Sequence, residues 1–414
     1  MTVYLLDPFL IDYSGHCYNY LECVRHALRR RNIEAQIIGN ELCNIEIRQH
    51  GVKGVFSKSA LKPVKHKIRY SITKYLKSIF NPQKHDDAEA FKENFKSFME
   101  YTKSNEKDII FINSLRPGQF LGLALWFQDQ DLSKCPKIVL VLHFTSRLNN
   151  WSGYIYKKQY REAFDLCKEA HNLNRLIILA DTEELISEYR KLGAPSIYLA
   201  PIPDFWEVKE NPNFHFENKN LKQKQNNNDS TIIISFVGQA RRDKGFYLLP
   251  TIIKNLTHYI SSNKIKFLIQ TGPLDKIDYR GRATIEELKD LNAQIIDEML
   301  NAEDYYNFIE SSDIILLPYA GFTYHSQSSG IFAEAMSRGK IVVAPIGTWM
   351  GNQLMGFDLN FKKNNILRSD VTEQIIAILQ GIIEDYDITK NKFKIVSKQW
   401  RSKNNIEMLV DRIL

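Results

Sequence analysis

Residues 236–245 read FVGQARRDKG, and this stretch decides the fold. An apolar, β-branched run ends at Gly238, and Gly245 opens the next segment, which is typical of a strand that turns into a helix. Three cationic side chains lie in the turn: Arg241, Arg242 and Lys244. Glycines let a backbone approach a ligand closely and cations bind phosphate, so the stretch predicts an anion-binding turn. An exposed basic turn without a ligand has the same features.

A second stretch, residues 313–339, repeats the strand–turn–helix pattern. An apolar strand runs to Tyr319, a polar loop follows over residues 320–329, and Gly330 begins a helix. The free N–H groups and the dipole of a helix N-terminus favour a diphosphate. Glu334 lies about one turn into this helix, where its carboxylate can accept hydrogen bonds from the vicinal hydroxyls of a ribose. The alternative is a capped helix with one exposed glutamate.

Strand–helix alternation occurs on both sides of a polar segment. Residues 206–230 are rich in Asn, Lys and Gln and are predicted to form a linker or surface insertion. Apolar and amphipathic runs alternate before this segment, and the alternation restarts at residue 231. The pattern predicts an α/β protein with two Rossmann-like, doubly wound parallel-sheet domains that face a central cleft. A ligand is expected at the carboxyl ends of the strands.

Length and composition set broad limits. The 414 residues are enough for two domains, and 44% of them are hydrophobic. The net charge of +7 suits an anionic ligand or an anionic membrane surface without establishing either. The five cysteines contain no C-x-x-C pair, which argues against a disulfide framework and a zinc site. Neither a signal peptide nor a membrane-spanning run is evident, so a cytoplasmic protein is expected.

Missing motifs disfavour other function classes. The basic residues lack the interleaved aromatic residues of a nucleic-acid-binding module. The loop after the first strand holds one glycine, Gly15, instead of the G-x-G-x-x-G of a dehydrogenase. No D-x-D motif follows a strand, as a metal-dependent transferase of another fold would need, and Asp275 and Asp278 have a different spacing. No metal and no cofactor other than a substrate is therefore expected.

The two stretches together resemble the retaining glycosyltransferases of family 4, which have the GT-B fold. The resemblance is carried by Gly238-x-x-x-x-x-Lys244-Gly245 and by SGIFAEA at residues 329–335. It extends to ADTEEL at 180–185, KLGAP at 191–195 and LAPIP at 199–203, and it covers roughly residues 176–350. It implies an acceptor-side domain over residues 1–205, completed by a C-terminal crossover helix within 394–414, and a nucleotide-sugar-binding domain over residues 231–393.

The resemblance also implies site residues. Lys244, assisted by Arg242, would neutralise the donor diphosphate, and Glu334 would bind the ribose. His143, which ends an apolar strand, would position the sugar first and act in catalysis second. The implied donor-binding positions are Gly15, Gly238, Arg241, Gly245, Tyr319, Ser326, Gln327, Ser328, Ser329, Gly330 and Glu334.

Two positions depart from the family pattern. Gln239 stands where the family has an arginine, and Ser326 stands where it has the first of two glutamates. Arg241 or Arg242 can supply the charge that Gln239 lacks. The missing glutamate normally contacts the donor sugar, so the identity of the sugar is left open. The departures also keep open a catalytically weakened subunit that binds a partner transferase or a glycan.

The implied reaction is a metal-independent transfer of a hexosyl group from a nucleoside diphosphate sugar, UDP- or GDP-linked, with retention of configuration. The acceptor would be a hydroxyl of a glycan, a lipid-linked molecule or a protein, in cell-surface glycan or polysaccharide synthesis. A phosphorylase or epimerase of the same fold is the alternative. Lys58–Lys77 carries seven cations and no carboxylate, and predicts a basic helix that lies either on an anionic membrane or over the core.

Overall fold

The computed structural model describes residues 1–13, 17–57, 86–146, 151–204, 231–357 and 371–414. This part of the chain divides into two compact units: unit 1 contains Met1–Pro201 and Ile406–Leu414, and unit 2 contains Ile202–Asn405. Three predicted features lie outside the described residues: Gly15, the basic helix at Lys58–Lys77 and the linker at 206–230. No helix in the described ranges is both long and apolar enough to cross a membrane.

Unit 1 is built on a parallel sheet of seven strands in the order β3-β2-β1-β4-β5-β6-β7. The strands are Thr2–Leu6 (β1), Glu34–Asn40 (β2), Lys53–Phe56 (β3), Ile109–Ile112 (β4), Lys137–Leu142 (β5), Leu176–Ala180 (β6) and Ile197–Leu199 (β7). The helices are Cys17–Arg30 (α1), Ile45–Gln49 (α2), Asp86–Thr102 (α3), Pro117–Gln128 (α4), Trp151–Leu166 (α5), Lys168–Asn172 (α6), Glu183–Lys191 (α7) and Ile406–Ile413 (α17). Strands β4 and β5 are almost wholly buried Ile, Val and Leu, as expected when helices cover both faces of a sheet.

Unit 2 is built on a parallel sheet of five strands in the order β10-β9-β8-β11-β12. The strands are Ile232–Phe236 (β8), Ile265–Gln270 (β9), Gln294–Ile296 (β10), Ile314–Leu316 (β11) and Ile341–Val343 (β12). The helices are Leu249–Lys254 (α8), Thr257–Ser261 (α9), Tyr279–Asp290 (α10), Ala302–Ser311 (α11), Gly321–Tyr324 (α12), Gly330–Ser337 (α13), Trp349–Gly356 (α14), Val371–Glu384 (α15) and Tyr386–Lys403 (α16).

The chain returns to unit 1 later than the family resemblance implies. The predicted boundary is residue 394, whereas the contacts of the structure place it between Asn405 and Ile406. Helix α16 stays in unit 2 because its Trp400 packs edge-on against Phe332 of α13, with ring centroids 5.3 Å apart. Only α17 joins unit 1, where Leu409 is fully buried.

Each sheet has a topological switch point, at which the chain leaves the first strand toward one side and later returns on the other. In unit 1, β1 lies between β2 and β4, and in unit 2, β8 lies between β9 and β11. Open α/β sheets bind ligands in the crevice that such a reversal leaves at the carboxyl ends of the strands. A ligand site is therefore expected at two places: the residues that follow β1 and β4, and those that follow β8 and β11.

Candidate functional site

The turn after β8 brings Lys244 back onto the glycine that ends the strand. Gly238 has a φ of +110°, and a Cβ there would lie 2.7 Å from Lys244 Nζ. A side chain at this position would displace the ammonium group, and the positive φ is a backbone conformation that favours glycine. The Gly238 N–H donates to Gln270 Oε1 at 3.1 Å. Gln270 ends β9 and is buried. It is not predicted as a site residue from the sequence, although a polar amide at the end of an apolar strand is a signal.

The same turn packs directly on the end of β11. Gly245 has a φ of +73°, and a Cβ there would lie 1.9 Å from the carbonyl oxygen of Pro318. The Ala320 N–H donates to the carbonyl oxygen of Asp243 at 2.8 Å. Lys244 Nζ consequently lies 5.7 Å from the centre of the Tyr319 ring. The β8 turn and the residues after β11 thus form one surface at the switch point of unit 2.

The first turn of α13 borders this surface. A Cβ on Gly238 would lie 3.6 Å from Cδ1 of Ile331, the second residue of the helix. Ser329 caps the helix, because its hydroxyl oxygen accepts a hydrogen bond from the Phe332 N–H at 3.3 Å. The predicted loop residues Ser326 and Ser329 are buried, while Gln327, Ser328 and Gly330 are half-buried. The turn and the helix N-terminus that the sequence singles out are therefore neighbours.

The cations of the turn differ in their surroundings. Arg241 donates from Nε to Asp243 Oδ1 at 2.9 Å and from Nη2 to Asp243 Oδ2, so its charge is paired. Arg242 is exposed. Lys244 is half-buried and forms no ion pair with any described residue. Burial of the ammonium and the nearby Arg241 lower the pKa of Lys244 to about 8, against the opposing effect of Asp243.

Glu334 is buried rather than exposed. Only 1% of its surface is accessible, and its Oε2 accepts a hydrogen bond from the Tyr305 hydroxyl at 2.6 Å. The alternative of a capped helix with an exposed glutamate is therefore wrong about the exposed glutamate, although it is right that the helix is capped, by Ser329. Burial and the Glu334 carboxylate raise the pKa of Tyr305, which keeps it a donor. Tyr305 lies on α11 and is not predicted as a site residue, because in the sequence it is one aromatic residue of an amphipathic helix.

A second polar cluster lies at the switch point of unit 1. His143 follows β5, with Nδ1 2.9 Å from Asp181 Oδ2 and Nε2 2.8 Å from the Asn113 carbonyl oxygen. The Asn113 side chain donates to Asp7 Oδ2 at 3.4 Å. Asp7 is fully buried and Asp181 nearly so, while about a third of the His143 side chain, 32%, is exposed. Among these residues only His143 was singled out from the sequence.

The loop that carries His143 is fixed by its neighbours. Buried Glu188, on α7, accepts hydrogen bonds from the Thr145 hydroxyl at 2.9 Å and from the Ser146 hydroxyl at 2.6 Å. The hydroxyls of Tyr160 and Tyr189 both donate to the carbonyl oxygen of Phe144, at 2.8 and 2.9 Å. The position of His143 is therefore set by helices α5 and α7 as well as by its own strand.

Unit 2 thus brings most of the predicted residues onto one edge of one sheet. They are Gly238, Arg241, Arg242, Lys244, Gly245, Tyr319 and the loop over 326–330. His143 belongs to unit 1, and Gly15 lies outside the described residues. In the part of the chain that the structure describes, no three His, Cys, Asp or Glu side chains are grouped so that they could hold a metal ion.

The chain matches known proteins in fold and not in sequence. No protein-family model matches it, and no curated protein is similar enough in sequence to count as a match. The trehalose-6-phosphate protein of E. coli bound with UDP-2-fluoro glucose superposes with a TM-score of 0.63 at 11% identity, covering 99% of this chain and 97% of the other. WaaG, a glycosyltransferase involved in lipopolysaccharide biosynthesis, gives 0.59 at 11%, covering 100% and 98%.

A third structure has a different activity. A protein from Listeria monocytogenes assigned as a UDP-N-acetylglucosamine 2-epimerase gives a TM-score of 0.60 at 13% identity, covering 100% of this chain and 94% of its own. Likenesses at such low identity show the fold alone. The predicted GT-B fold, with its two parallel-sheet α/β units, is confirmed.

Proposed function

We propose that this chain is a nucleotide-sugar-dependent glycosyltransferase that binds the donor diphosphate in unit 2, between the turn after β8 and the first turn of α13. One observation carries the proposal. Lys244 places a half-buried ammonium, without an ion-pair partner among the described residues, at the switch point of the sheet. A positive charge held away from water in this way is stabilised when an anion binds beside it.

The electrostatics of the turn suit a leaving diphosphate. The depressed pKa of Lys244, about 8, reflects burial of its ammonium group and repulsion from Arg241. A bound diphosphate would counter both effects, and the dipole at the N-terminus of α13 would add to its stabilisation. Donors that are already oriented toward the developing charge lower the barrier to departure of the nucleoside diphosphate.

The finer assignments extend the proposal. Glu334 binds the ribose through its carboxylate, and the Tyr305 hydroxyl holds the other side of that carboxylate. Arg242 assists Lys244 at the phosphates. The transfer retains configuration, as in family 4, and needs no metal. The donor is a UDP- or GDP-linked hexose, and the acceptor is a hydroxyl of a glycan, a lipid-linked molecule or a protein in cell-surface polysaccharide synthesis. The protein is cytoplasmic, and Lys58–Lys77 carries it to an anionic membrane face.

Ligand-induced stabilisation tests the donor site. We expect UDP or GDP, and the matching nucleotide sugar, to raise the melting temperature of the full chain in proportion to the logarithm of concentration. Lys244→Ala should weaken this binding about 10-fold or more, since a hydrogen bond to a charged group contributes about 1.5–3 kcal/mol. Lys254→Ala is the matched control, because Lys254 is an exposed lysine of unit 2 that pairs with Glu287. Equal binding by both variants would contradict the site.

An epimerase is the second candidate, because the Listeria monocytogenes protein assigned as an epimerase shares the fold. Product analysis separates the two reactions. A transferase incubated with a nucleotide sugar and an acceptor extract releases the nucleoside diphosphate and glycosylates the acceptor. An epimerase interconverts nucleotide sugars without any acceptor. Formation of a second nucleotide sugar in the absence of acceptor would replace the transferase proposal by this one.

A further inference from the structure

Four neighbouring strands of unit 1 each end in a polar residue. Asp7 follows β1, Asn113 follows β4, His143 follows β5 and Asp181 follows β6, and these strands are consecutive in the sheet. Because parallel strands end at the same edge, the four residues form one row across the switch point. The hydrogen bonds from Asn113 to Asp7 and from His143 to Asn113 and Asp181 connect the whole row.

The hydrogen bonds of His143 define its protonation. Its Nε2 faces a peptide carbonyl oxygen, which only accepts, and its Nδ1 faces the Asp181 carboxylate, which only accepts when ionised. A neutral imidazole has only one N–H. Its other ring nitrogen would then face an acceptor oxygen with no proton between them. The doubly protonated ring donates to both. The geometry therefore selects the imidazolium form.

The charges around the ring agree with this form. Asp181 after β6 and Asp7 after β1 are the charged groups that act on the ring, and the Asn113 carbonyl adds a third attraction. Burial acts in the opposite direction, since it disfavours a charged ring, but the three attractions together raise the pKa of His143 above its ordinary value.

We infer that Asp181 and the Asn113 carbonyl hold His143 as a fixed imidazolium, which would meet a substrate at the switch point of unit 1 with positive charge and does not act as a general base. Both N–H groups are used inside the protein, so the exposed third of the ring offers only positive charge and polarised C–H groups. Such a surface suits an electronegative ligand oxygen, of phosphate, carboxylate or sugar hydroxyl type. Asp181 is then a positioning residue. The ligand role rests on the proposed function, whereas the protonation state does not.

NMR of the full chain, labelled with ¹³C and ¹⁵N at histidine, tests the protonation state. His143→Gln identifies the resonance by its loss. At pH 7 we expect both ring nitrogens of His143 to carry protons, and Asp181→Asn to move the titration midpoint to lower pH. Asp165→Asn removes a carboxylate from an exposed site on α5 that pairs with Lys168, and it should leave the midpoint unchanged. A neutral His143 at pH 7, or equal midpoints in all three proteins, would overturn the inference.

The pH dependence of transfer tests the role. A fixed cation loses its function as pH rises through its pKa, so activity should fall on that limb, and the limb should move to lower pH in Asp181→Asn but not in Asp165→Asn. A general base would give the opposite sign, with activity rising through the same pKa. If the chain catalyses no transfer, the proposed function fails while the NMR result still decides the protonation state.

Discussion

At the scale of single residues, Lys244 lowers the free energy of unfolding, because its ammonium group is half-buried where the proposed diphosphate binds. Its pKa is about 8 in the folded chain and 10.5 in an unperturbed lysine, so between these values the unfolded state binds more protons. We therefore expect Lys244→Met to stabilise the chain at pH 7 by an amount on the order of 1 kcal/mol. The advantage should shrink as pH rises from about 8 toward 10.5, because the wild-type lysine also becomes neutral there.

Chemical denaturation across this pH range measures the effect, and nucleotide binding by the same variant should be lost. Lys254→Met provides the comparison, since its lysine is exposed and paired with Glu287. A Lys244→Met variant that is less stable than wild type at pH 7 would show that the ammonium carries no desolvation cost.

The pair formed by Glu334 and Tyr305 gives a second prediction at this scale. Tyr305→Phe removes a 2.6 Å hydrogen bond to a carboxylate that is 1% exposed. We expect a loss of stability of about 1–3 kcal/mol, because a buried charged acceptor loses one of its donors. Tyr279→Phe, at a tyrosine that is 70% exposed, should change stability by less than about 0.5 kcal/mol. Thermal unfolding of the two variants measures this, and equal melting temperatures would contradict it.

Residues of this kind mark the limit of prediction from sequence. Lys244, Gly238 and Gly330 can be predicted from their residue types and their positions in a strand–turn–helix pattern. Gln270 and Asp181 are visible only as polar residues at the ends of apolar strands, because a single sequence does not show which partner each reaches across the sheet.

At the scale of elements, the contact between the β8 turn and β11 depends on one glycine. A Cβ at Gly245 would lie 1.9 Å from the Pro318 carbonyl oxygen, and the backbone there has a φ of +73°. We expect Gly245→Ala to cost more than about 2 kcal/mol and to abolish nucleotide binding, since Lys244 moves with the turn. Gly381→Ala is the control: Gly381 lies in α15 with no atom within 4 Å of its Cβ position, and alanine should stabilise that helix by about 0.5–1 kcal/mol. Urea unfolding distinguishes the two, and a tolerated Gly245→Ala would show that the turn does not rest on β11.

Strands were easier to predict than helices. The apolar run over residues 176–180 predicts a strand and forms β6, and the run over 231–238 predicts a strand and contains β8, because buried parallel strands are continuous apolar runs. The pattern over residues 245–259 predicts a single helix, but the structure has a 3₁₀ turn there, followed by α8 and α9. Gly245 in the left-handed region and Pro250 near the start of α8 restrict the helical segment to short pieces. Strands β3 and β7 are harder to predict because only one residue of each is buried, so neither needs to be a continuous apolar run.

At the scale of the whole molecule, the sequence predicts two units and the family resemblance implies a late return of the chain, but neither gives the position of the return. Helices α16 and α17 are both amphipathic, so periodicity cannot tell which unit each one covers. The choice is made by partners distant in sequence. Trp400 of α16 contacts Phe332, whereas Arg31, which directly follows α1, donates to Glu407 and Asp411 of α17 at 2.7 and 2.6 Å.

The return of α17 makes the C-terminus part of the core of unit 1, which leads to a prediction about the two units. Leu409 is fully buried, whereas Met408 beside it is 37% exposed. We expect Leu409→Ala to destabilise unit 1 by about 2–5 kcal/mol, and Met408→Ala to have a much smaller effect. Hydrogen exchange should show faster exchange in β1 and β4, with the protection of β8 and β11 unchanged. Equal loss of protection in both sheets would mean that the two units unfold together, and an effect confined to β8 and β11 would assign α17 to unit 2.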